Sequence, residues 1–268
     1  MNTKTKKGKS KDSKKIRVAL AGNPNVGKSV IFNELTGGRA WVGNWPGTTV
    51  EKKVGKAKIG EYEVEVLDLP GIYSLTAYSL DELVARNGIV EEKPDVVIDI
   101  ANAANFERSL YLTISLLEMG VNIIVALNMI DLAEAQGYKI DAEKLSKLLQ
   151  VPVIPTIAIK GYGLGKLKEA VTRSLKIRKI PEKIVDYGNL VEIEIQKIEK
   201  LIKRDTELSL KYPPRWLAIK LLEKDRDVEE KVKSSPFAEE ILKQTQKSRE
   251  ILEKQLKKDL EEYIAEKR

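Results

Sequence analysis

Neither cysteine nor histidine occurs in the 268 residues. Without cysteine there is no disulfide framework and no thiolate metal site. Without histidine the commonest general base and transition-metal ligand are gone. Long apolar runs are missing too: the longest, "VNIIVALNMI", is interrupted by Asn122 and Asn128 and is far too short to span a bilayer. No signal-peptide pattern opens the chain, because Met1 to Arg17 is polar and basic. These absences point to a soluble, cytosolic protein. Its apolar fraction of 42% and its length suffice for a core-bearing domain and a second unit.

A net charge of +7 invites a nucleic-acid partner, so its location matters. Lys4, Lys6, Lys7, Lys9, Lys11, Lys14, Lys15 and Arg17 stand against Asp12, which accounts for the whole excess of 47 basic over 40 acidic residues. The basicity belongs to the first 17 residues, of which 1–15 form a leader, rather than to a folded face. A solvated, disordered leader is the plain reading; a weak anchor for anionic lipid or RNA is the sharper one.

From Ile16 to about Arg173 strand-like and helix-like runs alternate. "IRVALA", "DVVIDI", "VNIIVALN" and "VPVIPTIA" are continuous apolar runs suited to parallel central strands. "EKKVGKAKI" and "YEVEVLDL", separated by Gly60-Glu61, read as a hairpin. Helical patterns cover residues 28–36, 79–92, 106–119, 141–149 and 164–175. The fold class is therefore α/β, a mostly parallel sheet with one antiparallel hairpin. From Asn189 onward only charged amphipathic segments remain, which predicts a following all-α domain. Leu190, Ile193, Ile198, Leu201 and Ile202 are expected along one side of a helix. Trp216, Ile219 and Leu222 follow the stop at Pro213-Pro214, and Leu252, Leu256, Leu260 and Ile264 recur every fourth residue.

One stretch carries chemistry by itself. Gly22-Asn23-Pro24-Asn25-Val26-Gly27-Lys28-Ser29 matches the phosphate loop G-x-x-x-x-G-K-S, after a strand and before a helix. Its glycines let main-chain N–H groups turn around phosphate oxygens, and the next helix presents its positive end there. Lys28 would reach the β and γ phosphates and Ser29 would ligate Mg²⁺. Asp68-x-x-Gly71 suits a Mg²⁺-water ligand followed by a glycine amide aimed at the γ-phosphate. Asn128-Met129-Ile130-Asp131 caps a strand, and a carboxylate at Asp131 accepting from guanine N1 and N2 selects GTP over ATP. Ala158, Ile159 and Lys160 would lend main-chain N–H groups to guanine O6. All four patterns fall at carboxyl ends of predicted strands, where open α/β sheets bind ligands.

With the box "WVGNWPGTTVEKK", these elements resemble the Ras-like P-loop GTPase superfamily. With "AGNPNVGKS", "DLPGIYSLT", "NFERSLYLT", "VALNMIDLAE" and "RWLAIKLLE", residues from Ile16 to Glu223 resemble the cytosolic part of the ferrous iron transport protein B family. The resemblance implies a GTPase domain over 16–176 and a helical domain over 177–268 that acts as a guanine-nucleotide dissociation inhibitor. It also implies a membrane-embedded permease domain in the same full-length protein, so the chain is expected to be a fragment working at the cytoplasmic face of the membrane. Whether it forms a homo-oligomer is left open. Thr49 is assigned to Mg²⁺ and the γ-phosphate when the first switch closes, with Gly47 and Thr48 as its neighbours in the loop. Asn25 is assigned to K⁺, against the plainer reading that it stabilises the loop turn. Met129 replaces the superfamily's usual lysine, Ala158 stands where relatives often have serine, and Asn102 stands where aspartate is usual.

Many Ras-like GTPases carry a water-orienting glutamine where this chain has Ile72. Phosphoryl transfer asks chiefly for positioning and charge neutralisation, so main-chain groups near Thr48 and Thr49 are expected to hold the water. A slow hydrolase follows. The alternatives are a soluble ribosome- or RNA-associated GTPase and a nucleotide-gated interaction module with negligible turnover. Against the first, no GxxG clamp of the KH type and no basic stripe follow the α/β part, so nucleic acid is not an expected partner.

Overall fold

Apolar side chains on both faces of the central strands require helices on both sides, and that is the arrangement found. The computed structural model describes residues 16–76, 78–178, 180–181 and 185–268; the basic leader lies outside them. The strands are β1 (Ile16–Gly22), β2 (Ala40–Asn44), β3 (Glu51–Ile59), β4 (Tyr62–Asp68), β5 (Val96–Asn102), β6 (Ile123–Asn128) and β7 (Val153–Pro155). They form one sheet in the order β2-β3-β4-β1-β5-β6-β7. β4, β1, β5, β6 and β7 run parallel, whereas β3 pairs antiparallel with both β2 and β4. The expected hairpin turns at Gly60, whose φ of +59° suits a residue without Cβ. β2 was not foreseen.

Period-two alternation along β1 divides the core. Val18 and Leu20 face α1 (Lys28–Thr36) and α6 (Leu164–Lys176), where they meet Phe32 and Leu167. Ala19 and Ala21 face the other layer, built from α2 (Leu80–Glu92), α3 (Phe106–Glu118) and α5 (Ala142–Leu149); the short α4 (Ile130–Ala135) follows β6. This second core continues unbroken into α7 (Asn189–Ile202), α8 (Thr206–Lys211), α9 (Pro214–Leu222), α10 (Arg226–Lys233), α11 (Ala238–Leu256) and α12 (Leu260–Lys267). The helical half is therefore seated on the α2–α3 face of the sheet.

Two expectations about these helices need correction. The buried face of α7 is Val191, Ile195, Ile198 and Ile202, while Leu190 and Ile193 are half exposed. The run from Leu252 to Ile264 is not one helix. Lys257 turns left-handed at φ +52° and Asp259 caps α12 through the Glu261 and Glu262 amides. The break brings Leu260 and Ile264 into the core from a new direction.

Buried charge joins the two halves. Arg86 on α2 is fully buried and donates to Asp225 at 2.6 Å and to Asp227 at 2.5 Å, both beside the start of α10. Arg268 reaches back to Glu118 on α3 at 2.6 Å and to Glu223. Partnered burial of this kind fixes geometry, and removing one partner strands the other charge.

Candidate active site

The phosphate loop owes its shape to contacts that exclude side chains. A Cβ at Gly22 would lie 2.7 Å from the Ile100 carbonyl, and one at Gly27 would lie 2.5 Å from Asn128 Nδ2. Gly27 also has φ +91°, and Asn25 adopts φ +64°, a left-handed conformation that asparagine tolerates. α1 begins at Lys28 with no side-chain cap, so the first amides of the helix are left for an anion. Lys28 Nζ pairs with Asp68 from the end of β4. Ser29 lines the same cleft, whose volume is about 660 Å³. Asn23 is buried and donates to the Arg108 carbonyl at 3.4 Å.

Asn128 braces the end of the cleft formed by β6 and the turn Ala158–Lys160. Its Nδ2 donates to Val26 O at 2.9 Å, and its Oδ1 accepts from the Ala158 amide at 2.9 Å and from Thr156 Oγ1 at 3.2 Å. One buried amide thus ties the phosphate loop to β6 and to the turn Ala158–Lys160. The Ala158 amide is committed to this bond, and the Lys160 amide donates to Ile157 O, while Ile159 is exposed on the cleft wall. Met129 follows at φ +62° and turns the chain so that Asp131 faces the cleft. Lys160 donates to Asp131 at 2.9 Å, and that bond first, with the Leu132 amide, holds the carboxyl below its ordinary range. Asp131 is therefore ionised at neutral pH and can act only as an acceptor.

The two switch segments differ in placement. Gly71 touches the phosphate loop closely enough that its Cβ would sit 3.3 Å from Pro24 Cα. Ile72 donates its amide to Gly22 O at 3.1 Å and buries its side chain with Leu69 and Leu75. The Ile72 side chain does not line the cleft. Downstream, Glu82 accepts from Ser74 and Thr76 at 2.7 and 2.9 Å and closes a capping box with Ser79. By contrast Thr49 is exposed at the tip of the β2–β3 hairpin and lines a separate shallow basin with Pro46, Gly47, Thr48 and Leu80.

Sequence reasoning missed two participants. Thr156 carries no motif signal, and Arg108, stacked 3.9 Å over Tyr73 beyond Gly71, depends on a distant partner. Asn102 caps the turn into α3: its Oδ1 accepts from the Ala104 amide and its own amide donates to Ser109. Asp99, buried on β5 against Thr113 Oγ1 at 2.5 Å, is pushed up to about 7 by burial. Glu92 is tied to Arg17 and Lys52, and Glu240 pairs with Arg204 on the exposed surface. A larger concavity of about 870 Å³, lined by Trp41, Lys52, Lys56 and Glu65, holds none of the phosphate-loop, Asp68–Gly71 or Asn128–Asp131 residues.

A phosphate loop at the end of β1, an Asp-x-x-Gly turn beside it and a braced Asn-x-x-Asp strand end define a Ras-like guanine-nucleotide-binding domain. The family description "Ferrous iron transport protein B" matches residues 16–171, and "FeoB cytosolic helical domain" matches residues 187–268. The chain belongs to the ferrous iron transport protein B family. It is 50% identical over 228 residues to an Fe(2+) transporter FeoB of Methanocaldococcus jannaschii, covering 85% of this chain and 34% of the relative. A crystal structure of a mutant S. thermophilus NFeoB bound to mGDP matches with a TM-score of 0.83 at 36% identity, over 94% of this chain and 95% of that one. The cytosolic domain of the T. maritima FeoB iron transporter in its GMPPNP form gives 0.76 at 40% identity, over 90% and 98%. The chain spans about a third or less of the length of the curated relatives it matches. Among the described residues no helix is long and apolar enough to cross a membrane.

Proposed function

We propose that this chain binds GTP and GDP in the Lys28–Asp131 cleft and hydrolyses GTP slowly. In the longer protein it couples its nucleotide state to ferrous iron passage through a membrane domain, working at the cytoplasmic face. The observation that carries the reading is the Asn128 brace, which fixes an ionised Asp131 at one end of the cleft relative to the phosphate loop at the other. Adenine offers no matching pair of donors to that carboxylate.

On binding, Lys28 exchanges Asp68 for the β and γ phosphates, and the main chain of residues 22–28 wraps them with Gly22, Asn23, Pro24, Val26 and Gly27 in place. Ser29, Asp68 through water, and Thr49 once the first switch has closed offer the hard oxygen donors that fit magnesium. Magnesium, when bound, neutralises charge on the β and γ phosphates. Because Ile72 points into the core, the attacking water is held by main-chain groups near Thr48, Thr49 and Gly71. Asn25 is exposed on the cleft wall and would hold a potassium ion that adds positive charge where other GTPases use an arginine. We assign residues 16–176 to hydrolysis and 177–268 to restraint of nucleotide release. Arg86, with Asn87 accepting from Lys231, joins the helix after the second switch to α10.

Phosphate release tests the reading. Multiple turnovers with GTP and magnesium, faster in KCl than in NaCl, are expected; binding without turnover would reduce the chain to an interaction module, and equal rates in the two salts would remove the cation from Asn25.

A further inference from the structure

The first-switch loop is bonded back onto one residue. The Trp45 amide donates to Val50 O at 2.9 Å, and the Thr48 amide and hydroxyl both donate to Trp45 O at 3.1 Å. Val50 in turn donates to Thr48 Oγ1 at 3.2 Å. Thr49 lies inside that closed set, so it travels with Trp45. From residue 40 to residue 50, Trp45 alone is buried, at 4% exposed, while Trp41 on the neighbouring strand is 63% exposed. Trp45 is therefore the fully buried anchor of the edge strand and its loop, with Val50 packed partly buried against the same core.

The anchor sits in a fitted slot. A Cβ at Gly88 of α2 would come within 2.7 Å of the indole Cη2, and Lys52 Nζ stands 4.6 Å from the ring centroid. One polar atom is unsatisfied there: Trp45 Nε1 is buried and has no hydrogen-bond partner. A donor without an acceptor penalises the docked arrangement. Shape and apolar contact hold the ring in, and the stranded N–H opposes them, which leaves a catch able to open.

We propose that Trp45 is a positioning residue for GTP hydrolysis: docked opposite Gly88 it keeps Thr49 out of the cleft, and its undocking delivers Thr49 to the side of Ser29. The proposal rests on the reading of Thr49 as the magnesium and γ-phosphate contact. It makes the first switch a two-state element whose closed form is reduced in population by the docking equilibrium, so GTP affinity is reduced by the same fraction while GDP affinity is untouched.

Gly88→Ala tests it without altering the switch or the cleft. The new methyl occupies the slot, and alanine favours α2, so the fold is kept. Acrylamide quenching of tryptophan emission should rise as Trp45 leaves the core, with Trp216 still buried. Affinity for a magnesium-bound, non-hydrolysable GTP analogue should rise about threefold to tenfold relative to GDP. That gain should vanish when Thr49→Ala is added, and Trp45→Phe, which keeps a ring in the slot and removes the stranded N–H, should not raise the ratio above the parent's. A solvent-exposed Trp45 with an unchanged GTP-to-GDP ratio, or a gain that survives Thr49→Ala, would overturn the proposal and reduce Trp45 to packing. Should the methyl leave the ring in place, Trp45→Ala removes the anchor outright and is read by the GTP-to-GDP ratio and its dependence on Thr49. Normal hydrolysis by Thr49→Ala alone would instead defeat the underlying reading of Thr49.

Discussion

At the purine end of the cleft Asn128 is buried and its amide makes three bonds, reaching Val26, Thr156 and Ala158. At the phosphate-sensing end Thr49 stands exposed on a hairpin tip, outside the cleft it is assigned to serve. One end is built before any ligand arrives and the other must be assembled. The difference separates two tasks that share a nucleotide. Affinity and base choice come from preorganised groups, whereas a switch needs a segment of low stability that the γ-phosphate can capture. The second switch is intermediate: its glycine already touches the phosphate loop and Ile72 is fixed in the core, while the loop beyond is tethered through Glu82.

The comparison can be broken or sharpened by substitution. Lys28→Ala is expected to have the largest effect, weakening GDP and GTP alike by at least about 100-fold in calorimetry, since both ends depend on the phosphate grip. Asn128→Ala attacks the preorganised end and strands three buried partners. Stability should fall by about 3 kcal/mol in urea titration, with GDP affinity falling too.

Asp99→Asn probes the strand beneath both ends through pH. The folded-state value of about 7 lies above the unfolded one, so the protonated form is the stabilising one. That contribution is complete below the unfolded pKa and is lost as pH rises through 7. The parent chain should therefore lose about 3 kcal/mol from this residue between pH 5 and pH 8, and the asparagine variant should not. A parallel pH dependence in the two would remove Asp99 from the ledger. Thr49→Ala touches the unassembled end alone: hydrolysis should drop more than about tenfold while GDP affinity stays within about twofold. Equal loss of both would make Thr49 structural. Ile72→Gln should change the turnover rate least, by less than about twofold, because position 72 points away from the cleft; a large gain would return the water to a side chain.

How much of this was legible beforehand follows the range of the interactions. The phosphate loop, the Asp-x-x-Gly turn and the Asn-x-x-Asp strand end are local main-chain requirements, and Gly22, Gly27 and Met129 show the backbone conformations that make such patterns readable. The apolar runs of β1, β5 and β6 likewise announced buried parallel strands. β2 did not, because a short exposed edge strand carries almost no burial pattern. Asn128 was read as a base contact, but its bracing bond to Val26 spans 102 positions and leaves no trace in spacing. The same holds for Arg86, whose partners lie 139 and 141 positions away. The face of α7 was misjudged because Leu190 and Ile193 are apolar yet lie outside the stripe that packs. The break at Lys257 was hidden by leucines that keep a helical period across it.

The most direct test of a purine-selecting cleft is competition calorimetry with GDP, ADP and XDP on the parent chain and on Asp131→Asn. GDP should bind the parent and ADP should not compete, and the variant should turn to XDP because its amide can donate where the carboxylate accepted. ADP competing on equal terms, or an unchanged preference for GDP in Asp131→Asn, would contradict the account.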